Sequence, residues 1–308
     1  MTSAPYERPI LVTGAAGRIG SVGRQVAELL LRAGFRVRAQ VRIDDERAAG
    51  LRQAGADVVV GDLRELADVH HAMEGCERLC LTMSVAPDYL EAATNVAIVA
   101  KNHGIKAFVN LSQMTVKEMD VFNTTASPQQ KQHWLAEQIL EWSGLPIVEV
   151  RPTAFMEGLF LQSARGVSLQ DKLLAPFGQG KNSAIAALDV ARVIAQIIRD
   201  PSGHVGKTYH LTGPASQDMH AIAGEFSEAL GRTIGYVDVP ADAFRTQLVA
   251  FGMSPHIVAH VETMAALHRD NRYDRFSDDV ERLTGVPPMS IREFVLRNAK
   301  AFSPAAAG

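Results

Sequence analysis

With 308 residues, 47% of them hydrophobic and 21% charged, the chain has the composition of a globular protein large enough to bury a full core. A formal net charge of -3 gives no reason to expect nucleic acid or an anionic membrane as a partner. No apolar run has the length of a membrane span, and residues 1–8 are too short and polar for a signal peptide. Cys76 and Cys80 are too few and too close for a disulfide framework or a zinc site. We therefore expect a cytoplasmic protein.

The first predicted element is a buried strand over Ile10–Val12, which runs into a turn with glycines 14, 17 and 20. Apolar residues then recur at helical spacing from Val22 to Ala33, and Gly34 supplies a stop. Glycines at a strand-to-helix turn let the backbone approach a pyrophosphate, which the helix N-terminus attracts. The alternative is a tight turn without a ligand. The context favours a dinucleotide site, to which we assign Gly14, Gly17, Arg18, Ile19 and Gly20.

Strand-like and helix-like segments then alternate with short connections. This order predicts an α/β fold, a doubly wound parallel sheet of the Rossmann type. The further predicted strands are Val37–Val41, Asp57–Val60, Arg78–Thr82, Ala107–Leu111 and Ile147–Val150, and the helices are Glu46–Ala54, Leu66–Met73, Tyr89–His103 and Gln130–Trp142.

The pattern changes after Arg151-Pro152. Residues 155–181 look irregular, as expected for a loop over a ligand cleft, whereas a helix over Leu188–Ile198 and a strand over Thr208–Leu211 resume the sheet. From Gln217 onward the chain is mostly helical, ending in Ile291–Phe302. We therefore predict a Rossmann domain over 1–154 plus 184–213, and a smaller, mostly helical C-terminal lobe over 155–183 plus 214–304.

The end of the second strand bears on the identity of the dinucleotide. NAD-binding units usually place an acidic residue there, whereas this strand ends in Arg42, with Asp44 just beyond. A guanidinium suits a 2′-phosphate through charge-assisted hydrogen bonds, and Arg18 is placed to add to them. The alternative is a solvated Arg42 paired with Asp44. We predict NADP, with NAD as the runner-up.

Two further segments fit the same cleft. Asp62 and Leu63 follow the third strand, where a carboxylate can accept from the adenine amino group; alternatively, Asp62 only caps the next helix. Residues Thr82, Met83 and Ser84 follow the fourth strand, at the carboxyl edge where open sheets bind ligands. We assign these five residues to the cofactor.

Together these residues resemble the NmrA-like branch of the atypical short-chain dehydrogenases/reductases. The resemblance implies a Rossmann fold, usually NADP, and a smaller C-terminal lobe over the nicotinamide end. It covers most of the chain, and the motifs that carry it are Thr13-Gly-Ala-Ala-Gly-Arg-Ile-Gly20, Arg42, Gly61-Asp-Leu63, Phe108-Val-Asn-Leu-Ser112, His133-Trp-Leu-Ala-Glu137, Ser143-Gly-Leu-Pro-Ile147, Arg151-Pro-Thr-Ala-Phe-Met156 and, weakly, Leu283-Thr-Gly-Val-Pro-Pro288.

The chain departs from that family in two places. Residues 21–23 look like an insertion before the first helix, and Gly23 offers an alternative register with glycines 17 and 20. The wider family also uses a tyrosine followed four residues later by lysine for proton transfer. Anchored on Glu137, those positions hold Gln129 and His133 here. Because glutamine is neither an acid nor a base, the ordinary alcohol–ketone mechanism is not expected.

Two residues remain as candidate catalytic groups. His133 has the intrinsic pKa for proton transfer near neutrality, unless it only touches the nicotinamide ribose or is merely exposed. Ser112 follows the fifth strand, where its hydroxyl either binds a substrate oxygen or ends the strand. His256 and His260 have the spacing of a metal pair, but no third ligand is evident, so we predict no metal.

An NADPH site without a tyrosine acid can still reduce an electrophilic carbon by direct hydride transfer. We therefore expect a reductase of a small aromatic, conjugated or quinone-like substrate, with residues 123–127 in a loop beside the cleft and Phe155, Met156, Phe160, Trp134 and Phe177 as candidate pocket residues. The alternative is a non-catalytic regulator that senses the NADP redox state and binds a protein partner. An epimerase or dehydratase would need the missing tyrosine–lysine pair. The sequence leaves a homodimer open.

Overall fold

The computed structural model describes residues 8–17 and 21–303. Within those residues, seven parallel strands form one sheet in the order β3-β2-β1-β4-β5-β6-β8. The strand numbers fall from β3 to β1 and then rise from β4 to β8, so the switch point of the topology lies between β1 and β4. Two further strands, β7 and β9, form a small parallel sheet of their own. The strands are β1 Ile10–Val12, β2 Val37–Val41, β3 Asp57–Val60, β4 Arg78–Leu81, β5 Ala107–Leu111, β6 Ile147–Pro152, β7 Lys172–Ala175, β8 Thr208–Leu211 and β9 Gly235–Asp238.

Helices cover both faces of the large sheet and build the C-terminal lobe. Several begin at side-chain caps: Ser127 accepts a hydrogen bond from the backbone N–H of Gln130, with Pro128 at the first helical position, as expected for a stable N-terminus. The helices are α1 Val22–Arg32, α2 Glu46–Gln53, α3 Leu66–Met73, α4 Tyr89–His103, α5 Pro128–Trp142, α6 Met156–Phe160, α7 Ala164–Gln170, α8 Ala187–Arg199, α9 Met219–Leu230, α10 Ala241–Ala250, α11 Pro255–Arg269, α12 Asp279–Thr284, α13 Ile291–Arg297 and α14 Ala299–Phe302.

Three clusters of buried apolar side chains hold these layers together. One joins α1 and α8 to one face of the sheet, and a second joins α3, α4 and α5 to the other. Both faces of the parallel strands are therefore covered, which explains their nearly unbroken apolar sequences. The third cluster lies in the C-terminal lobe, where Phe160 and Phe226 contact each other edge to face. The doubly wound sheet predicted from the sequence is confirmed.

The C-terminal lobe differs from the prediction in two places. Residues 155–181, expected to be irregular, contain α6, α7 and β7, and the supposedly helical region after Gln217 contains β9. Lys172 and Gly235 pair in register although they lie far apart in sequence. Short strands of this kind depend on tertiary pairing, which local sequence patterns do not report.

The third cluster draws its side chains from residues 156–186 and 219–302. This distribution supports the two-part division predicted from the sequence, which we retain as a proposal. Among the described residues, no helix is both long enough and apolar enough to cross a lipid bilayer.

Candidate cofactor and substrate site

The glycine turn lies at the carboxyl edge of the sheet, where the strand order reverses. Gly14 has a φ of 63°, and a Cβ added there would lie 2.4 Å from the carbonyl oxygen of Thr82. Gly17 donates its N–H to the carbonyl of Gly14 at 3.0 Å. Position 14 therefore accepts only glycine, as expected where the turn of a dinucleotide-binding unit approaches a pyrophosphate. Three residues assigned to the cofactor, Arg18, Ile19 and Gly20, lie outside the described residues.

Gly23 is the glycine that brings α1 close to the sheet. A Cβ added at this position would lie 2.6 Å from the Thr82 Oγ1 and 2.7 Å from the carbonyl oxygen of Thr13. This is the packing function that the last glycine of a dinucleotide-binding turn performs. The alternative register that includes Gly23 thus has direct geometric support. The first turn of α1 carries no acidic side chain, so its positive end is available to an anion.

Two threonines join the ends of β1 and β4 beneath this turn. Thr13 Oγ1 donates to the carbonyl of Thr82 at 2.8 Å, and Thr82 Oγ1 donates to the carbonyl of Thr13 at 2.6 Å. The hydroxyl of Thr82 is therefore engaged within the protein. Of the predicted residues after β4, Met83 is half-buried and Ser84 is exposed, so these two are better placed to meet a ligand.

Arg42 is exposed at the end of β2 and forms no ion pair within the described residues. Asp44, its alternative partner, instead accepts two hydrogen bonds from Arg52 at 2.7 and 2.9 Å. Because Arg52 occupies that carboxylate, the guanidinium of Arg42 stays available for a phosphate. This arrangement fits a 2′-phosphate better than a free ribose hydroxyl.

Arg47 was missed by the sequence interpretation, although it links this loop to the glycine turn. Its guanidinium donates to the carbonyl of Ala16 at 2.5 Å and forms an ion pair with Asp45, which caps α2. The hydrogen bonds from Arg47 lower the pKa of Asp45. Arg47 thus fixes the relative position of the two loops that would enclose the adenosine ribose.

Asp62 does not cap α3, whose N-cap is Glu65. Its carboxylate accepts from the backbone and guanidinium of Arg64, and these hydrogen bonds lower its pKa. Asp68 accepts the N–H of Asp62 at 2.8 Å, while Leu63 packs against the apolar cluster below. Asp62 is therefore ionised and paired, and the assignment of Asp62 and Leu63 to the cofactor stays a prediction.

Gln129 is buried at the start of α5, with 1% of its surface exposed. Its Oε1 accepts the N–H of Ala86, in the loop after β4, at 3.1 Å. The same oxygen lies 2.9 Å from the Nε2 of His256 on α11, and the amide nitrogen lies 3.2 Å from the Nε2 of His133. One side chain therefore connects the β4 loop, α5 and α11.

His133 is a neutral ring in this setting. Burial, followed by the effect of nearby His260, lowers its pKa to about 3. Its ring centroid lies 4.1 Å from that of Tyr89, and no described residue bonds its buried Nδ1. A neutral imidazole has no acidic proton at neutral pH, so the geometry disfavours His133 as the proton donor.

Ser112 is buried at the end of β5, and its Oγ has no partner among the described residues. A buried hydroxyl without a hydrogen-bond partner costs folding free energy unless a ligand or a water molecule bonds to it. A substrate oxygen would supply the missing partner of Ser112. Behind it, Asn110 donates to Glu149 at 2.8 Å. Burial and the charge of Glu137 raise the pKa of Glu149 to about 8.

A cavity of about 150 Å³ lies between the loop after β5 and α11, with Thr125, Ala126 and Thr263 among its walls. The residues from Asn123 to Ala126 line it, and their place beside the cofactor cleft stays a prediction. Of the predicted pocket residues, Met156, Phe160 and Phe177 belong to the apolar cluster of the lobe instead. Among the described residues, no group of three His, Cys, Asp or Glu side chains is arranged to hold a metal ion.

Comparison with known proteins supplies an independent view of this site. A family model described as NAD(P)H-binding matches residues 14–201. An NAD(P)H azoreductase from Xenophilus azovorans is 30% identical over 96% of this chain and 100% of its own length. A (4-alkanoyl-5-oxo-2,5-dihydrofuran-3-yl)methyl phosphate reductase from Streptomyces griseus is 31% identical over 96% of this chain and 99% of its own. An NADPH-dependent quinone oxidoreductase from Escherichia coli, solved with NADPH, has a TM-score of 0.82 at 24% identity, covering 94% of this chain and 99% of that one.

Proposed function

Because the chain belongs to the NAD(P)H-binding family, we propose that it is an NADPH-dependent reductase of a small conjugated or quinone-like compound. The single observation that carries this proposal is the glutamine at the start of α5, where the resemblance leads us to expect a tyrosine. Gln129 donates no acidic proton, and Ala86, His133 and His256 already engage its amide. An acceptor must therefore take up electrons before it is protonated, as quinones, enones and azo compounds do.

Different residues of this chain would bind different parts of the cofactor and the substrate. Gly14 and Gly17 would admit the pyrophosphate to the open positive end of α1, and Arg42 would bind the 2′-phosphate. Met83 and Ser84 would lie along the ribose, and Ser112 would hydrogen-bond the substrate oxygen. Reduced NADP supplies two electrons and one proton to the acceptor. The names of the two relatives, both reductases, support the same reaction class.

Oxidation of NADPH with a panel of quinones, enones and azo compounds tests the reaction. We expect turnover with at least one class and preference for NADPH over NADH. Arg42→Ala should weaken NADPH much more than NADH, because only NADPH carries the 2′-phosphate. Arg32→Ala, which removes an exposed arginine at the far end of α1, is the matched control and should leave both affinities unchanged.

Tight, redox-discriminating binding without turnover on any acceptor would refute the reductase. That result would favour the regulatory alternative, in which the same site senses the NADP redox state. Equal effects of Arg42→Ala on both cofactors would remove the argument for NADP while leaving the reductase intact.

A further inference from the structure

The amide of Gln129 determines which nitrogen of each neighbouring histidine carries a proton. The N–H of Ala86 is a donor of fixed identity, so the Gln129 atom that faces it must be the oxygen. That oxygen accepts only, so the Nε2 of His256 at 2.9 Å carries a hydrogen and donates it. The Gln129 nitrogen donates only, so the Nε2 of His133 at 3.2 Å has none.

The two histidines therefore respond differently to protonation. A second proton on His133 would point an N–H at the Gln129 amide hydrogens, and Ala86 keeps that amide from turning over. A second proton on His256 would go to its Nδ1, while the bond from Nε2 to Gln129 remains. The ring of His256 is only half-buried, and no described residue bonds its Nδ1. Of the two, only His256 keeps its hydrogen bond to Gln129 when a second proton is added.

His256 also lies against Gln129, the residue at the position where the resemblance leads us to expect the catalytic tyrosine. It stands in the first turn of α11, against a glutamine that is bonded to the loop following Ser84. The cavity beside the loop after β5 is lined further along the same helix by Thr263 and Leu267. An acceptor seated between this loop and the nicotinamide end would therefore meet the start of α11.

We propose that His256, supplied by the C-terminal lobe, is the catalytic proton donor in place of the missing tyrosine. This inference rests on the proposed reductase. Bound NADPH would supply the acceptor with a hydride (two electrons and a proton), leaving NADP⁺, and the Nδ1–H of His256 would give the second proton to the resulting anion. A quinone becomes a hydroquinone, or an azo bond a hydrazine. Neutral His256, which is only half-buried, then regains a proton from solvent.

The titratable groups on the elements around His256 carry no net positive charge. His260, one turn along α11, lies with its Nδ1 3.0 Å from the Ser127 hydroxyl, and burial followed by the influence of His256 lowers its pKa to about 4. His133 from α5 is neutral, as described above, and burial raises the pKa of Tyr89 from α4. On the α10 side, Arg245 and Glu262 pair at 2.8 Å.

His256→Gln tests the assignment, because glutamine retains an N–H toward Gln129 but has no titratable proton. The control is His220→Gln, an exposed histidine on α9. We expect kcat for His256→Gln to fall by about 10- to 100-fold, with the larger loss on azo acceptors, whose reduced anion is more basic than that of a quinone. NADPH affinity should stay within about twofold. The pH profile of kcat should differ between the wild type and the variant, because the variant has no proton-donating side chain at this position.

A second measurement does not depend on turnover. Nitrogen NMR of the cofactor-free protein should show neutral His256 with its proton on Nε2 and His133 with its proton on Nδ1. Turnover by His256→Gln within about twofold of wild type, with the same pH profile, would overturn the inference and leave the reductase standing. The opposite tautomer of His256 would also overturn it. Absence of turnover in the wild type would refute the proposed function, and the inference with it.

Discussion

The same substitution at two helical glycines should change stability in opposite directions. At Gly23, an added Cβ would lie 2.6 Å from the Thr82 Oγ1, 2.7 Å from the carbonyl oxygen of Thr13 and 3.0 Å from the carbonyl carbon of Gly14. Two of these atoms belong to the backbone, and the third is held by a hydrogen bond to Thr13. At Gly224, in α9, no atom of the described residues, apart from the two chain neighbours and the nearby backbone of the helix itself, lies within 4 Å of the added Cβ. The pair therefore isolates packing from helix propensity.

The magnitudes follow from these contacts. Overpacking of a tight site costs about 1–3 kcal/mol, and alanine recovers at most about 1 kcal/mol of helix propensity. Gly23→Ala should therefore destabilise the protein by about 1–2 kcal/mol. Gly224→Ala should stabilise it by about 0.5–1 kcal/mol, since only propensity and chain entropy change.

Denaturant unfolding of the cofactor-free variants measures both values, and fluorescence titration measures NADPH binding. We expect Gly23→Ala to weaken NADPH by about tenfold, the equivalent of roughly one charge-assisted hydrogen bond lost as α1 moves off the sheet. Gly224→Ala should bind normally. A Gly23→Ala protein as stable as wild type, with unchanged affinity, would refute the close-packing account of this turn.

Three other changes test separate contacts. Thr82→Val should destabilise the protein by about 1–3 kcal/mol in denaturant unfolding, because the carbonyl of Thr13 loses its buried donor; an unchanged midpoint would contradict this. Glu149→Gln should stabilise the protein more at pH 8 than at pH 5.5, because burial beside Glu137 raises the pKa of Glu149 to about 8 from an ordinary 4.5, so the folded state loses stability as pH rises between those values. The difference is at most about 3 kcal/mol over that range, and a pH-independent effect would count against it. Arg47→Ala, which frees the carbonyl of Ala16, should weaken NADPH binding in the same titration more than the control Arg32→Ala does; equal effects would leave Arg47 without a role in the turn.

The large sheet was predictable because its strands carry their own signal. Residues such as Val58 and Val109 lie in short apolar runs between amphipathic helices, and every predicted strand of the sheet is present within one or two residues. The small sheet was not predictable, because Leu173 and Val237 owe their strand conformation to a partner far along the chain.

The residues of the site likewise include some that local sequence motifs predict and others that only the fold brings together. The glycine turn and Arg42 are local motifs, and the sequence displays them directly. The approach of His256 to Gln129 joins residues 127 positions apart, and no local pattern reports it. The four-residue spacing of His256 and His260 is that of a metal pair, but without a third ligand it predicts no metal. The spacing does not reveal that these side chains contact Gln129 and Ser127, at the start of α5.

The pairing of β7 with β9 has a consequence for synthesis on the ribosome. When β7 leaves the ribosome, Leu173 and Phe160 are still exposed to solvent. Tyr236, which pairs with Leu173, and Phe226, which contacts Phe160, have not yet been synthesised. At translation rates of about 5–20 residues per second, that delay is roughly 3–12 s. The nascent chain thus exposes an aggregation-prone apolar segment beside a large sheet that still lacks β8 and the helix α8. Chaperones that shield apolar segments of nascent chains should therefore act on this protein in the interval between the synthesis of β7 and that of β9.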